Sequence, residues 1–259
     1  MPVQIIGRKI KLDDEVCVMR DGEPYAFPRN ISPLQTSTAI SPGVYALVNQ
    51  GTFPCFESDS AISMMQSLGG NNRVDAHREA FRRNLKIPTI QIFLPHYTDV
   101  NEALEHRAVL YNASGKVIPD RKLKGYARTL NSKCFVHLNA EFPGEQESGT
   151  GFLGLDLAVI TGFDSEGNPV ISRSPLEDCL EQSCWAELES SNSQGLPTRE
   201  SKIERYIPGK VIYFWHPMKG TAAGFDANSD RVYLNCVRNP DYSNSALGVF
   251  LCAEGTQKN

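Results

Sequence analysis

Leu157-Ala-Val-Ile-Thr-Gly-Phe-Asp-Ser-Glu-Gly-Asn-Pro-Val-Ile-Ser172 decides the fold of this chain. An apolar run enters and a second β-rich run leaves. Between them, Asp164 to Asn168 supplies residues that tolerate the positive φ angles of a tight turn, which is a hairpin signal with a mechanism. The arrangement recurs at Val16–Phe27 around Asp21-Gly22, at Ala108–Ile118 around Asn112 to Gly115, and at Gly224–Val237 around Asp226 to Asp230. Further strand-like runs are Ile5–Leu12, Gly43–Val48, Ile87–Leu94, Cys134–Ala140, Phe152–Ile160, Val211–Trp215 and Gly248–Cys252. Strands joined by tight turns make antiparallel sheet, and the regular β-α alternation of a parallel sheet is absent.

Helix signals are fewer. Ser58 to Leu68 ends on Gly69-Gly70, a natural helix stop, and Asn72 to Leu85 carries Val74, His77, Phe81 and Leu85 at helical spacing. Asp99-x-x-Glu102 opens a short helix to about Arg107. Ser174-Pro175-x-Glu177 combines an N-cap, a first-turn proline and a capping-box acid ahead of Leu176 to Leu188. The fold class that follows is α+β, predominantly antiparallel sheet of sandwich or barrel-like form built from hairpins, with about four short helices.

A chain of 259 residues, 41% hydrophobic and 22% charged, buries a sizeable core and is too apolar for disorder. One β-rich domain over 1–259 is expected, the alternative being lobes at 1–145 and 146–259, divided in the Gly/Ser/Glu/Pro-rich stretch Glu141–Gly151. No run approaches the roughly 18 uncharged apolar residues of a membrane helix. The amino terminus lacks an apolar block with a cleavage site, so a soluble, cytoplasmic protein is expected. Net charge is −4, divided as +3 over residues 1–130 and −7 over 131–259. The basic run Arg121–Arg128 and the edge Arg78, Arg82, Arg83 and Lys86 are short in an acidic chain, which disfavours nucleic acid as a partner.

Seven cysteines occur without any C-x-x-C, so structural zinc is not expected and the cysteines read as small hydrophobes. Asp226-x-Asn228-x-Asp230 resembles the start of a calcium loop, yet Arg231 and Val237 stand where that loop needs Gly and Glu. A hairpin turn closed by Asx side chains accounts for it. Ile40-Ser-Pro-Gly43 followed by GTFPCF at Gly51 to Phe56 is echoed by Ile207-Pro-Gly209 and GTAAGF at Gly220 to Phe225, a weak sign of duplication.

Candidate chemistry begins on Cys134–Glu141. Alternation puts Cys134, Val136, Leu138 and Ala140 on one face and Phe135, His137, Asn139 and Glu141 on the other. Cys134 and His137 thus point apart, while His137 and Glu141 share a polar face. Asp156 sits in the most apolar stretch, Phe152–Ile160, where an ionised carboxylate needs a partner and perturbed carboxylates gather at sites. His216 ends the aromatic strand Val211–Trp215 ahead of Pro217. Asp156, His137, Glu141 and His216 are therefore the candidate catalytic residues, suited to acid–base chemistry or to holding a divalent metal. His77 reads as a core histidine, and His96 and His106 match no useful spacing.

Two functions are consistent with these residues. One is a small soluble enzyme, of hydrolase or lyase type, acting by hydrolysis, isomerisation or elimination on a small-molecule substrate. It requires His137 or His216 within about 4–6 Å of Asp156 or Glu141 in a cavity. The other is a non-catalytic binding or assembly module in which exposed aromatics such as Trp215, Tyr213 and Tyr242 meet a protein or glycan partner. It requires those titratable groups to be scattered and an apolar surface to be exposed.

Overall fold

The computed structural model describes residues 8–12, 15–20, 23–26, 45–48, 60–107, 110, 117–143, 151–228 and 231–254; before residue 62, and at 65, 253 and 254, it describes backbone alone. It is an α+β structure, mostly antiparallel, with three α-helices among the described residues where about four are expected from sequence. Strands β1 (Arg8–Leu12), β2 (Glu15–Arg20) and β3 (Glu23–Ala26) form an antiparallel three-stranded sheet, with Arg20 paired to Glu23 and residues 21–22 outside the described residues. A second three-stranded sheet takes the order β13-β5-β4, from β4 (Tyr45–Val48), β5 (Ser60–Ser67) and β13 (Val249–Glu254).

The main sheet has seven strands, ordered β8-β7-β6-β11-β12-β10-β9. They are β6 (Cys134–Phe142), β7 (Asp156–Phe163), β8 (Pro169–Pro175), β9 (Cys184–Glu187), β10 (Val211–Trp215), β11 (Thr221–Ala227) and β12 (Val232–Arg238). Only β10 and β12 run parallel within it. The deciding hairpin is β7–β8: the Asp164 carboxylate accepts from the backbone amides of Glu166 (2.9 Å) and Asn168 (2.8 Å), and Gly167 takes φ +85°. The Gly224–Val237 hairpin is β11–β12, with residues 229–230 outside the described residues. The Asn112 to Gly115 turn and the first copy of the echoed string also lie outside them, while Ile118 N donates to Leu110 O (2.9 Å) across the former.

Four local expectations are corrected by tertiary partners. Where a helix over Ser58 to Leu68 is expected, the described part is strand: β5 (Ser60–Ser67) lies between β4 and β13 and its backbone groups belong to two ladders. Ile87–Leu94 is not strand: helix α2 (Ile90–Leu104) begins there and runs through Pro95, burying Ile90, Phe93, Leu94, Tyr97 and Val100 at helical spacing. Asp99 to Arg107 is the end of that helix rather than a separate one. Leu176 to Leu188 is not helix, since Leu176 exchanges backbone bonds with Phe152 and Leu155, and the Glu177 carboxylate accepts from Ser193 instead of capping its own chain. Its second half is strand β9. Conversely, the basic run at Arg121 lies on helix α3 (Asp120–Ser132), whose Leu123, Tyr126, Ala127 and Leu130 make the buried stripe.

Helices α2 and α3 cover one face of the main sheet. Phe93 and Tyr97 meet Phe225 of β11 at ring-centroid distances of 4.9 and 5.0 Å, and Phe93 stacks on Phe250 of β13 at 5.8 Å. Val136, Leu138, Ile212, Phe214, Leu234 and Cys236 point into the same cluster, which draws on residues before and after position 145. The opposite face is divided. Helix α1 (Arg73–Arg82), capped by Asn72 onto the Asp75 amide (2.9 Å), lies over the β6–β7 end, with Phe81 edge-on to Phe163 at 5.6 Å. The β12–β10–β9 end of that face carries half-exposed aromatic rings instead.

Candidate functional site

Strand register assembles this outer face residue by residue. Across β9, β10, β12, β11 and β6 the partners run Trp185, Tyr213, Tyr233, Asp226 and Phe135. Two residues along, the partners are Trp215, Asn235, Gly224 and His137, and continuing the β9–β10 register sets Ser183 opposite Trp215. Side chains at alternate positions share a face, so these two rows are neighbours on one side of the sheet. The residues between them, Phe214, Leu234, Phe225 and Val136, point into the core beneath α2 and α3, as do Ala186 and Ile212 one residue beyond the first row.

The β9–β12 part of the two rows is an aromatic platform. Tyr213 is its hub, meeting Trp185 at 5.4 Å, Trp215 at 5.2 Å and Tyr233 at 6.1 Å, each ring edge toward face. Edge-to-face packing fixes the rings against one another without an overlying layer. Trp215 is 39% exposed, and the other three are partly so. Beside them Asn235 is held from both ends: its amide donates to Asp226 Oδ2 (3.0 Å) and its carbonyl accepts from the Val237 amide (3.1 Å). One amide hydrogen and one lone pair are left for a ligand.

Inward from Asn235 the face becomes charged and closed. Arg238 pairs with Asp226 and donates to the Val136 carbonyl (2.7 Å), and its guanidinium lies over Gly224, where any Cβ would come within 2.2 Å of it. Arg73 of α1 pairs with Glu141 at 2.5 Å. Between the two arginines lie His77 and His137, both fully buried, whose ring nitrogens carry no hydrogen bond of good geometry among the described residues. Burial foremost, then the charge of Arg238, holds His137 down at about 4, with the Asn71 backbone acting the other way. Burial, Arg73 and His137 together push His77 well below the ordinary histidine value. Both imidazoles are neutral at pH 7.

The four sequence-derived site residues thus fall in three places. His137 and Glu141 share a face of β6, but Glu141, 27% exposed, is held by Arg73 rather than by an imidazole. Asp156 opens β7, half-buried, on the same face as Glu141 because Ala158, two residues on, is Glu141's cross-strand partner. His216 is three strands from His137, roughly 14 Å by strand spacing. Its Nδ1 lies 3.0 Å from Ser183 Oγ, and its backbone amide donates to that oxygen at 3.2 Å. Among the described residues no group of three or more His, Cys, Asp or Glu side chains is disposed to hold a metal ion. Cys134 and Cys236 are fully buried, their thiols pushed well above the ordinary value by burial, as small hydrophobes would be.

No family model, curated protein or solved structure matches the chain. Sequence reasoning places His77 in the core, where it is, but missed Arg73 and Arg238 beside it and Trp185, Tyr233 and Asn235 on the platform. Alternation along Val211–Trp215 and Val232–Val237 carried part of the platform signal, but only strand order joins the two runs.

Proposed function

We propose that this protein is a binding module that holds the rings of a glycan on the aromatic platform of Trp185, Tyr213, Trp215 and Tyr233. The contiguous, partly exposed platform carries this reading. Sugar rings offer a C–H face that suits an aromatic surface and equatorial hydroxyls that need fixed polar partners. Asn235, pre-oriented by Asp226 and the Val237 amide, supplies such a partner beside Trp215. Sites of this kind combine apolar area with few, well-placed polar groups.

Charge favours a glycan over nucleic acid, because half-buried Glu187, paired with Arg199, and exposed Glu200 lie at the platform's edge and would repel phosphates. The scattered positions of His137, His216, Glu141 and Asp156 support the module over an acid–base site built from those four. Tyr242, exposed elsewhere in the chain, is not needed for it. The test is titration of soluble oligosaccharides against tryptophan fluorescence. Saturable quenching or a blue shift is expected, weakened at least 10-fold by Trp215→Ala; unchanged emission across neutral, acidic and amino-sugar oligomers would exclude the reading.

A further inference from the structure

The pair Ser183–His216 at the rim of the platform is unexplained by ring holding. We propose that Ser183 is a nucleophile activated by His216, and that it cleaves O-acyl esters carried by a sugar seated on the platform. The choice of a sugar ester rests on the glycan reading; the reactivity of Ser183 does not.

Four observations carry it. Ser183 Oγ and His216 Nδ1 are 3.0 Å apart, within the reach a nucleophile and its base require. Both residues are half-buried, so the pair is screened yet reachable from solvent, unlike the fully buried His77 and His137. The hydroxyl is held in place: the backbone amide of His216 donates to Ser183 Oγ (3.2 Å), leaving its proton directed to Nδ1. Finally, continuing the β9–β10 register one residue beyond Phe214–Cys184 sets Ser183 opposite Trp215, so a ring lying on Trp215 brings its substituents near the hydroxyl. Tyr213 adds a bond from its hydroxyl to the Ser183 carbonyl (3.4 Å), linking the platform's hub to the nucleophile's backbone.

With the ring proton on Nε2, Nδ1 accepts the hydroxyl proton as Ser183 Oγ attacks the acyl carbonyl carbon. The ester C–O bond breaks, the sugar oxygen leaves with the proton from His216, and an acyl-serine remains. Water then attacks that acyl carbon while Nδ1 takes its proton. The acyl–Oγ bond breaks as the proton returns to Ser183 Oγ, releasing the carboxylic acid after the deacylated sugar has already left. No oxidant, reductant or further reactant is consumed.

The experiment is covalent labelling of the full chain with an alkyl fluorophosphonate, read by intact mass and peptide mapping, followed by acetate release from acetylated glucose. One adduct at Ser183 is expected, with acetate release that Ser183→Ala abolishes. Labelling in His216→Ala should fall about 100-fold, the lower end of what a positioned base contributes. Trp215→Ala, with a far-UV spectrum like the parent's, should lose acetate release, whereas Tyr242→Ala, away from the platform, should keep both labelling and acetate release. Failure to label Ser183, or labelling indifferent to His216→Ala, overturns the nucleophile; labelling without acetate release overturns the ester. Labelling that persists where no oligosaccharide binds would instead overturn the glycan reading and leave the nucleophile standing.

Discussion

His137 and His77 are the residues whose chemistry departs furthest from their surroundings in water. The folded chain holds His137 at about 4, against an ordinary value near 6.5. The unfolded chain therefore binds the extra proton first, and stability falls as pH drops below about 6.5, levelling off once pH passes below the folded value. The groups facing the pair are Arg73 from α1, Glu141 from β6, Asp226 from β11 and Arg238 from β12. A loss of about 3 kcal/mol between pH 7 and pH 4 is expected from His137 alone. Urea midpoints across that range would measure it, and His137→Phe should flatten the slope. At Gly224 the argument is steric: Gly224→Ala sets a methyl against the Arg238 guanidinium and forces it off Asp226. A cost of about 3 kcal/mol is expected, since one charge is then buried without its partner, and thermal unfolding of the variant reads it.

Among the elements, β6 does most to organise the site. Its first half bonds Gly248, through His137 N to Gly248 O and Gly248 N to Phe135 O, each at 2.9 Å, and its amide at Asn139 bonds Pro88. Only at Glu141 does it take β7 as a ladder partner. Between, the Asn139 side chain substitutes for backbone, accepting from Ile160 N (2.8 Å) and donating to Ile160 O (2.9 Å). Asn139→Ala should therefore leave both Ile160 groups buried and unpaired, costing about 2–4 kcal/mol in denaturant unfolding, whereas Asn139→Asp should restore only the amide's partner. Helix α1 depends on the same strand. Arg73→Met should cost about 2 kcal/mol, toward the low side for a broken ion pair because Glu141 keeps some solvent. Hydrogen exchange in α1 would then rise ahead of that in α2, which packs in the main core.

For the whole molecule, one sheet face does two jobs, closed by α1 at the β6–β7 end and open at the β9–β12 end. Trp185→Ala should weaken oligosaccharide binding at least 10-fold while shifting the unfolding midpoint little, because Trp185 stands on an edge strand outside the main core. What the sequence determined by itself was whatever is local. Turn chemistry at Asp164–Asn168 and at Asp21-Gly22, and period-two alternation in Cys134–Glu141, fix antiparallel hairpins and the two faces of β6, because φ preferences and Cβ directions need no distant partner. Helix against strand in the short runs at Ser58 and Ile87 was settled only by packing, since either backbone satisfies its hydrogen bonds and the sheet neighbours or the α2 core choose between them. The capping signal at Ser174 likewise gave way to Ser193, a partner reached only in the fold. The platform and the Ser183–His216 pair lay beyond the sequence for the same reason. Strands β9, β10 and β12 are distant along the chain, and only the tertiary order of the sheet brings Ser183, Trp215 and Asn235 into one row.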